Sequence, residues 1–400
     1  MAAAGCLLSR LEEFFAMREV YLDNSATTQV LPEVAALMHK IHTGTYGNPS
    51  SPHRKGVEAE KVKRRARRTL ADACSVKEGE IYFTSGGTEA NNLAVMGVAR
   101  RLRRRGLHLV TTQVEHPSVL YACRLLEQEG FTLTYLPVDR DGVVSPAVVA
   151  EAVRPDTLLV SVMHVNNEVG AIQPVAEIGG LIKKKNSGTL FHVDAVQSFG
   201  KLPVQPMLWQ ADLVTFSAHK LHGPKGIGAL YKRQGVHLEP LFHGGGQEDG
   251  LRPGTENMAG IGGFAEAVRL AMASLPAHAA TLSRLKESLL TGMLASIPDI
   301  SCNSPKEGAP HILNVTVAGM RGEVLVHALE EEGVYLSTGS ACHSRRPELS
   351  HVLLAMGRRE KEVEAALRFS FSQINTEEEL AYALEKLRVA VLSIRKATRR

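Results

Sequence analysis

The chain has 400 residues, 44% of them apolar, and a formal net charge of +4 at pH 7. This size and apolar content suffice for a large buried core and, at about 100–200 residues per domain, predict two domains. A charge excess this small, for 46 basic and 42 acidic residues, excludes a general electrostatic attraction to nucleic acids or membranes.

The cysteines and the first residues bear on the cell compartment. The five cysteines include no C-x-x-C pair, which argues against a disulfide framework or a structural zinc site and favours a reducing cytoplasm. Residues 1–8 are mainly apolar, but Glu12 and Glu13 follow too early for a membrane span or a secretory signal. We therefore expect a cytoplasmic protein without a membrane segment or a metal site. The pattern leaves open whether residues 1–16 form a short helix or precede a start at Met17.

From about residue 80 to residue 230, short apolar runs alternate with helical patterns. The predicted strands cover residues 80–84, 108–112, 158–163, 189–193 and 213–216. Near-continuous apolar strands separated by helices predict an α/β fold whose mostly parallel sheet is covered by helices on both faces. In such a sheet, ligands bind at the carboxyl ends of the strands.

The rest of the chain predicts a smaller α+β domain. A long amphipathic helix interrupted at Pro276 precedes predicted strands at 312–317 and 367–371 and predicted helices at 322–332 and 376–395. We expect a large domain of residues 21–263, a small C-terminal domain of residues 264–400, and an N-terminal segment, residues 1–20, that packs on the small domain.

Two arginine-rich stretches, residues 61–68 and 100–105, lie on predicted helices. Each has apolar residues at helical spacing and no interleaved aromatic side chain, so a solvated helix face is favoured over a nucleic-acid-binding surface. We expect no direct binding of nucleic acid.

Lys220 follows the apolar run 211–216 and is the first candidate catalytic residue. An amine at the end of a buried strand is partly stripped of water and can form a Schiff base with a carbonyl. Most lysines are simply solvated surface charges. However, Asp194, the turn 86–88 and His116 also end strand-like runs, and together these groups are what pyridoxal phosphate requires.

The same edge of the sheet offers binding groups for such a cofactor. A carboxylate held against the ring nitrogen keeps it protonated, which is the role expected of Asp194, although a helix N-cap is the simpler alternative. Gln197 can hydrogen-bond the ring hydroxyl. Gly87 and Thr88 open a predicted helix whose backbone N–H groups can bind phosphate. His116 can stack on the ring and relay protons, or be an ordinary satisfied polar residue.

Cys342 is the candidate nucleophile. Small residues surround it in the segment 337–344, and Arg345 and Arg346 follow, so an exposed and electropositive thiol that favours the thiolate is predicted. An inert loop cysteine is the alternative.

Arg368 and Asn167 are the candidate substrate-binding residues. Arg368 lies on an apolar strand, where a guanidinium needs an anion such as a substrate carboxylate, unless an internal salt bridge satisfies it. Asn167 ends another strand and can contact both the cofactor and the substrate carboxylate.

From Tyr21 to about Lys386 the chain resembles the cysteine desulfurases, pyridoxal-phosphate enzymes of the class V aminotransferase family and of fold type I. The motifs that carry this resemblance are YLDNSATT at 21–28, GNPSS at 47–51, TSGGTE at 84–89, VNNE at 165–168, HVDAVQ at 192–197, SAHK at 217–220, RPGT at 252–255 and GSAC at 339–342. Their combination and order are highly specific.

The resemblance implies a role for each matching residue. Lys220 carries the cofactor, and Asp194 and Gln197 bind its ring. Asn167 contacts the ring and the substrate. The phosphate is held by Gly87, Thr88, Ser217 and His219, and by Thr255 of the other subunit in a homodimer with shared active sites.

The implied reaction converts L-cysteine to L-alanine. Arg368 and Asn167 hold the carboxylate, Lys220 moves the α-proton, His116 assists protonation, and Cys342 receives the sulfur as a persulfide. An iron–sulfur scaffold or a tRNA-thiolation protein is then the expected acceptor.

Two departures keep alternatives open. After the Arg-Phe-Ser of residues 368–370, long-loop desulfurases usually continue with a hydrophobic residue and Gly-Arg, whereas residues 371–373 here are Phe-Ser-Gln. A secondary charge near the substrate is therefore missing. At His343 and in the stretch 246–248, the sequence resembles the selenocysteine lyases, which share the fold and the cofactor. A sulfur-carrier or scaffold-docking protein with little turnover is the alternative from another class, whereas an ordinary aminotransferase would have no use for Cys342.

Overall fold

The computed structural model describes residues 18–338 and 349–398. The predictions for residues 1–17 therefore concern residues that the structure does not describe. The same holds for Cys342, His343, Arg345 and Arg346.

The described residues contain strands and α-helices in the following order. The strands are β1 Val20–Tyr21, β2 Ile81–Thr84, β3 His108–Thr112, β4 Thr132–Leu136, β5 Thr157–Met163, β6 Leu190–Asp194, β7 Leu213–Ser217, β8 Gly228–Lys232, β9 Ile300–Cys302, β10 Ile312–Val317, β11 Val334–Tyr335 and β12 Ala366–Ser370. The helices are α1 Pro32–Gly44, α2 Arg54–Cys74, α3 Gly87–Leu102, α4 Pro117–Gln128, α5 Pro146–Ala152, α6 Val175–Lys185, α7 Met258–Ala273, α8 Leu275–Ser296, α9 Gly322–Glu330, α10 His351–Ala355, α11 Glu360–Glu364 and α12 Glu377–Thr398.

A seven-stranded sheet in the order β2-β8-β7-β6-β5-β3-β4 forms the centre of the fold. Strands β4, β3, β5, β6 and β7 pair in parallel, and β8 pairs antiparallel with both β7 and β2. Strands β3, β5 and β7 are buried along their whole length, as expected for a sheet covered on both faces. The predicted α/β class with a mostly parallel sheet is confirmed.

The described residues form two smaller sheets. One consists of C-terminal strands only, and the other joins the start of the described chain to a C-terminal strand. Strand β10 pairs antiparallel with β12 and β9, and β1 pairs in parallel with β11. A separate apolar core joins the inner side chains of this region, including Leu289, Leu313 and Phe369. The division of the chain near residue 263 stays a prediction.

The helix predicted to be interrupted at Pro276 consists of two helices, α7 and α8, because Pro276 lies in the first turn of α8 and cannot continue α7. Among the described residues, no single helix is long and apolar enough to cross a membrane. Helices α7 and α8 satisfy that criterion only as a pair, and they meet at a bend of 76°.

The first arginine-rich stretch lies on α2, with Arg64 and Arg65 exposed, as predicted. Arg67 differs, because its side chain is largely buried and pairs with Glu248 at 2.6 Å. Part of this basic stretch therefore stabilises the fold rather than forming a solvated face.

Candidate functional site

A cavity of about 320 Å³ opens at the carboxyl ends of β5, β6 and β7. It brings together most of the predicted site residues, which come from separate parts of the chain. Its lining includes Gly87, Thr88, His116, Asn167, Asp194, Gln197, Ser217, His219, Lys220 and Arg368. Their location in one cavity is what the motifs at the strand ends predict.

Lys220 lies in a short 3-10 turn, Ala218–Lys220, that directly follows β7. Its Nζ donates hydrogen bonds to the carbonyl oxygens of Ser25 and Ala26, the second at 2.8 Å. The chain before α1 therefore holds the amine at the cavity wall. The position of the amine is thus fixed by the backbone, and its role as the cofactor attachment point stays a prediction.

Asp194 is the last residue of β6 and is almost fully buried. Its Oδ1 accepts a hydrogen bond from the backbone N–H of Val196 at 2.9 Å, and its Oδ2 accepts one from Asn91 Nδ2 at 2.7 Å. The carboxylate thus closes a local turn and also lines the cavity. The helix N-cap alternative is wrong, because residues 196–200 form turns and not a helix, and the pairing of Asp194 with a cofactor ring stays a prediction.

The close packing at the start of α3 requires glycine at residue 87. A Cβ atom there would lie 2.9 Å from Val196 Cγ2 and 3.5 Å from Ser217 Cβ. Within the described residues, the buried Ser217 Oγ and Gln197 Oε1 have no hydrogen-bond partner. Buried polar atoms of native proteins are nearly always paired, so these two cavity atoms fit a polar ligand such as pyridoxal phosphate.

His116 caps the N-terminus of α4, with its Nδ1 accepting a hydrogen bond from the backbone N–H of Ser118 at 3.1 Å. Burial lowers the pKa of His116, and nearby Lys220 and His351 lower it further, whereas Asp194 opposes them. Burial, with Lys220 as the next cause, also lowers the pKa of His219 to about 3. Both rings are therefore neutral at physiological pH.

Arg368 is buried on β12 and makes the internal salt bridge that the sequence left open. Its Nη2 lies 2.7 Å from Asp23 Oδ1, and its Nη1 donates to the carbonyl of Asn167 at 3.0 Å. Its Nε has no hydrogen-bond partner among the described residues. The guanidinium lines the cavity and can therefore still bind an anion.

Of the predicted site residues that the structure describes, Thr255 is not brought to this cavity. Thr255 is exposed and is not part of the cavity lining. Cys342 lies outside the described residues. The sites proposed for both stay predictions.

Several lining residues were not predicted from the sequence: Ser25, Ala26, Asn91, Ser118, Met163 and Val165. For Ser118 a signal was present, because it stands at the second helical position after His116-Pro117, where its backbone N–H needs a cap. Asn91 lies four residues after Gly87, one helical turn along α3.

A mostly parallel α/β sheet with a lysine, an acidic strand end and a glycine-led helix around one cavity is the arrangement of an α/β enzyme whose site lies at the strand ends. The chain belongs to the class V aminotransferase family, whose model matches residues 20–382.

Relatives of known name agree with this assignment. The chain is 43% identical over 373 residues to cysteine desulfurase IscS of Clostridium botulinum, covering 92% of this chain and 94% of the relative. Among solved structures, a NifS-like protein superposes with a TM-score of 0.89 at 40% identity, over 94% of this chain and 100% of that one. SspA in complex with cysteine gives a TM-score of 0.80 at 34% identity, over 89% and 100% of the two chains. The resemblance to the cysteine desulfurases and the fold type I class are confirmed.

Proposed function

We propose that this chain is a pyridoxal-phosphate-dependent cysteine desulfurase, which converts L-cysteine to L-alanine and carries the sulfur on Cys342 as a persulfide. The observation that carries the proposal is one cavity that contains both Lys220 and Arg368, in a chain 43% identical to a protein named cysteine desulfurase. An amine for the cofactor and a guanidinium for a carboxylate are the two groups that an amino-acid substrate requires.

The cofactor would be held by groups that already face the cavity. Lys220 would bind it covalently, Asp194 would pair with the ring nitrogen, and Gln197 would bind the ring hydroxyl. The phosphate would be held by Gly87, Thr88, Ser217 and His219. Bound pyridoxal phosphate would supply an electron sink for the bonds at the substrate Cα.

The protein's own residues account for the remaining requirements of the reaction. Arg368 and Asn167 bind the carboxylate, and Lys220 accepts the Cα proton of cysteine and returns it. The Cys342 thiolate attacks the substrate sulfur, so that the Cβ–S bond breaks while a new S–S bond forms. His116 assists protonation of the carbon, which yields alanine. No external oxidant is needed, because the carbon is reduced as the sulfur is oxidised.

We propose a homodimer in which the exposed Thr255 of one subunit completes the phosphate site of the other. An iron–sulfur scaffold or a tRNA-thiolation protein is the proposed acceptor of the persulfide. A reducing cytoplasm is the proposed location, which agrees with Cys74, Cys123 and Cys302, all free thiols.

The test is to mix purified holoprotein with L-cysteine and, separately, with L-selenocysteine, and to measure alanine and protein-bound persulfide. We expect stoichiometric persulfide and repeated alanine formation from L-cysteine in the presence of a reductant. Turnover of selenocysteine alone would instead identify a selenocysteine lyase. Cofactor binding without alanine from either substrate would support a sulfur-carrier or docking protein.

Arg368→Gln should raise KM for L-cysteine by roughly 10- to 100-fold, because hydrogen bonds to charged groups are worth about 1.5–3 kcal/mol. Because Arg368 also pairs with Asp23, Tm must be measured in parallel to detect a loss of stability. The variant Arg368→Lys serves as a second comparison, because it keeps a positive charge opposite the Asp23 carboxylate. Arg321→Gln, which removes an exposed arginine, is the matched control. An unchanged KM in folded Arg368→Gln would show that another group binds the carboxylate.

A further inference from the structure

A continuous hydrogen-bonded chain joins Asp194 to His116 through two side chains that the proposed reaction does not use. Asn91 Nδ2 donates to Asp194 Oδ2 at 2.7 Å and to Ser118 Oγ at 2.8 Å. Ser118 Oγ lies 2.8 Å from His116 Nδ1. Asn91 and Ser118 are 1% and 7% exposed, so water does not compete for these bonds.

The direction of each hydrogen bond in this chain follows from the carboxylate at its end. A carboxylate only accepts, so the amide group of Asn91 must turn its NH₂ towards Asp194. The same NH₂ group then supplies the second proton to Ser118 Oγ. Because Ser118 Oγ accepts from Asn91, its own hydroxyl proton is available to His116 Nδ1.

The Ser118 backbone N–H can only donate, and it lies 3.1 Å from His116 Nδ1, so this nitrogen acts as an acceptor. The Ser118 hydroxyl, 2.8 Å from the same nitrogen, must then turn its proton towards it. A nitrogen that accepts carries no proton, so the neutral ring must hold its proton on Nε2. Protonating Nδ1 would remove the cap from α4 and place a positive charge at the positive end of the helix dipole.

Resting on the proposed function, we propose that Asn91 and Ser118 are positioning residues that hold His116 as the neutral Nε2–H tautomer. This leaves a single proton donor on the free nitrogen of the ring. The described charged and titratable groups that interact with the ring are Asp194, Lys220, His351 and His219. Lys220 and His351 disfavour the imidazolium, and Asp194, which favours it, is itself engaged by Asn91 and Val196.

The test is ¹⁵N NMR of histidine-labelled holoprotein, with His116→Gln used to assign the His116 signals. We expect protonated Nε2 and bare Nδ1 across pH 7.5–9. In Ser118→Ala, a fraction of Nδ1–H should appear, and the pKa measured by NMR titration should rise by roughly half to one unit. The kcat for L-cysteine should fall roughly 3- to 10-fold at unchanged KM.

Ser283→Ala, which deletes a serine hydroxyl on the exposed face of α8, is the matched control and should leave all these values unchanged. Finding Nδ1–H or an imidazolium in the wild-type protein at pH 7.5 would overturn the proposal. So would a Ser118→Ala spectrum identical to that of the wild type. The NMR readout needs no turnover, so the expected spectra without alanine formation would refute only the proposed function.

Discussion

Lys220→Ala should abolish the covalent attachment of pyridoxal phosphate and reduce alanine formation from L-cysteine by about 10²–10⁴-fold or more. The amine is the proposed attachment point and also the group that accepts the Cα proton, and general acid–base groups alone contribute about 10²–10⁴-fold. The measurement is the visible absorbance of the holoprotein, followed by borohydride reduction and peptide mass mapping of the pyridoxyl group.

Lys201 provides a demanding control for that assignment. It is a buried lysine near Lys220, and burial, together with the charge of Lys220, lowers its pKa to about 7. A substantial fraction of Lys201 is therefore an unprotonated amine at neutral pH and is chemically capable of forming the same link. Lys220 should nevertheless carry the label, because it lines the cavity of about 320 Å³ that contains the other predicted cofactor-binding residues, and Lys201 does not. A pyridoxyl group on Lys201, or undiminished absorbance in Lys220→Ala, would refute the assignment.

The sheet was predictable where burial leaves a continuous apolar run. Strands β5 and β7 are buried at every residue, and runs of this kind are visible in sequence. Strand β4 was missed because it lies at the edge of the sheet and is only partly buried, so its sequence Thr-Leu-Thr-Tyr-Leu lacks such a run. Strand β8 was also missed, because its sequence Gly-Ala-Leu-Tyr-Lys begins with glycine and contains only three consecutive apolar residues.

The candidate site was predictable to the extent that its residues end strands or begin helices. Lys220 and Asp194 follow apolar runs directly, so their placement at the strand ends could be inferred. Contacts between distant segments could not. Ser25, whose carbonyl oxygen accepts a hydrogen bond from the Lys220 amine, is 195 residues from Lys220 in the sequence. Asp23, which pairs with Arg368, is 345 residues from Arg368. Such contacts depend on how segments that are far apart in the sequence pack together in the fold.

Cys342→Ala should retain the fold and the cofactor absorbance and yet fail to form a persulfide. Cys342 is the proposed sulfur acceptor, and removal of a catalytic nucleophile typically costs roughly 10³-fold or more in turnover. Release of alanine and sulfide from L-cysteine should fall accordingly. Intact-protein mass spectrometry after one equivalent of L-cysteine should detect no additional sulfur atom on the variant.

Cys302→Ala is the matched control, because it also removes one thiol but from β9, away from the cavity lining. Burial raises the pKa of the Cys302 thiol, which makes it a poor nucleophile at neutral pH. This variant should therefore form the persulfide at the wild-type rate. Wild-type turnover by Cys342→Ala would show that sulfur leaves cysteine without this thiol, and loss of turnover in Cys302→Ala alone would move the acceptor to the small sheet.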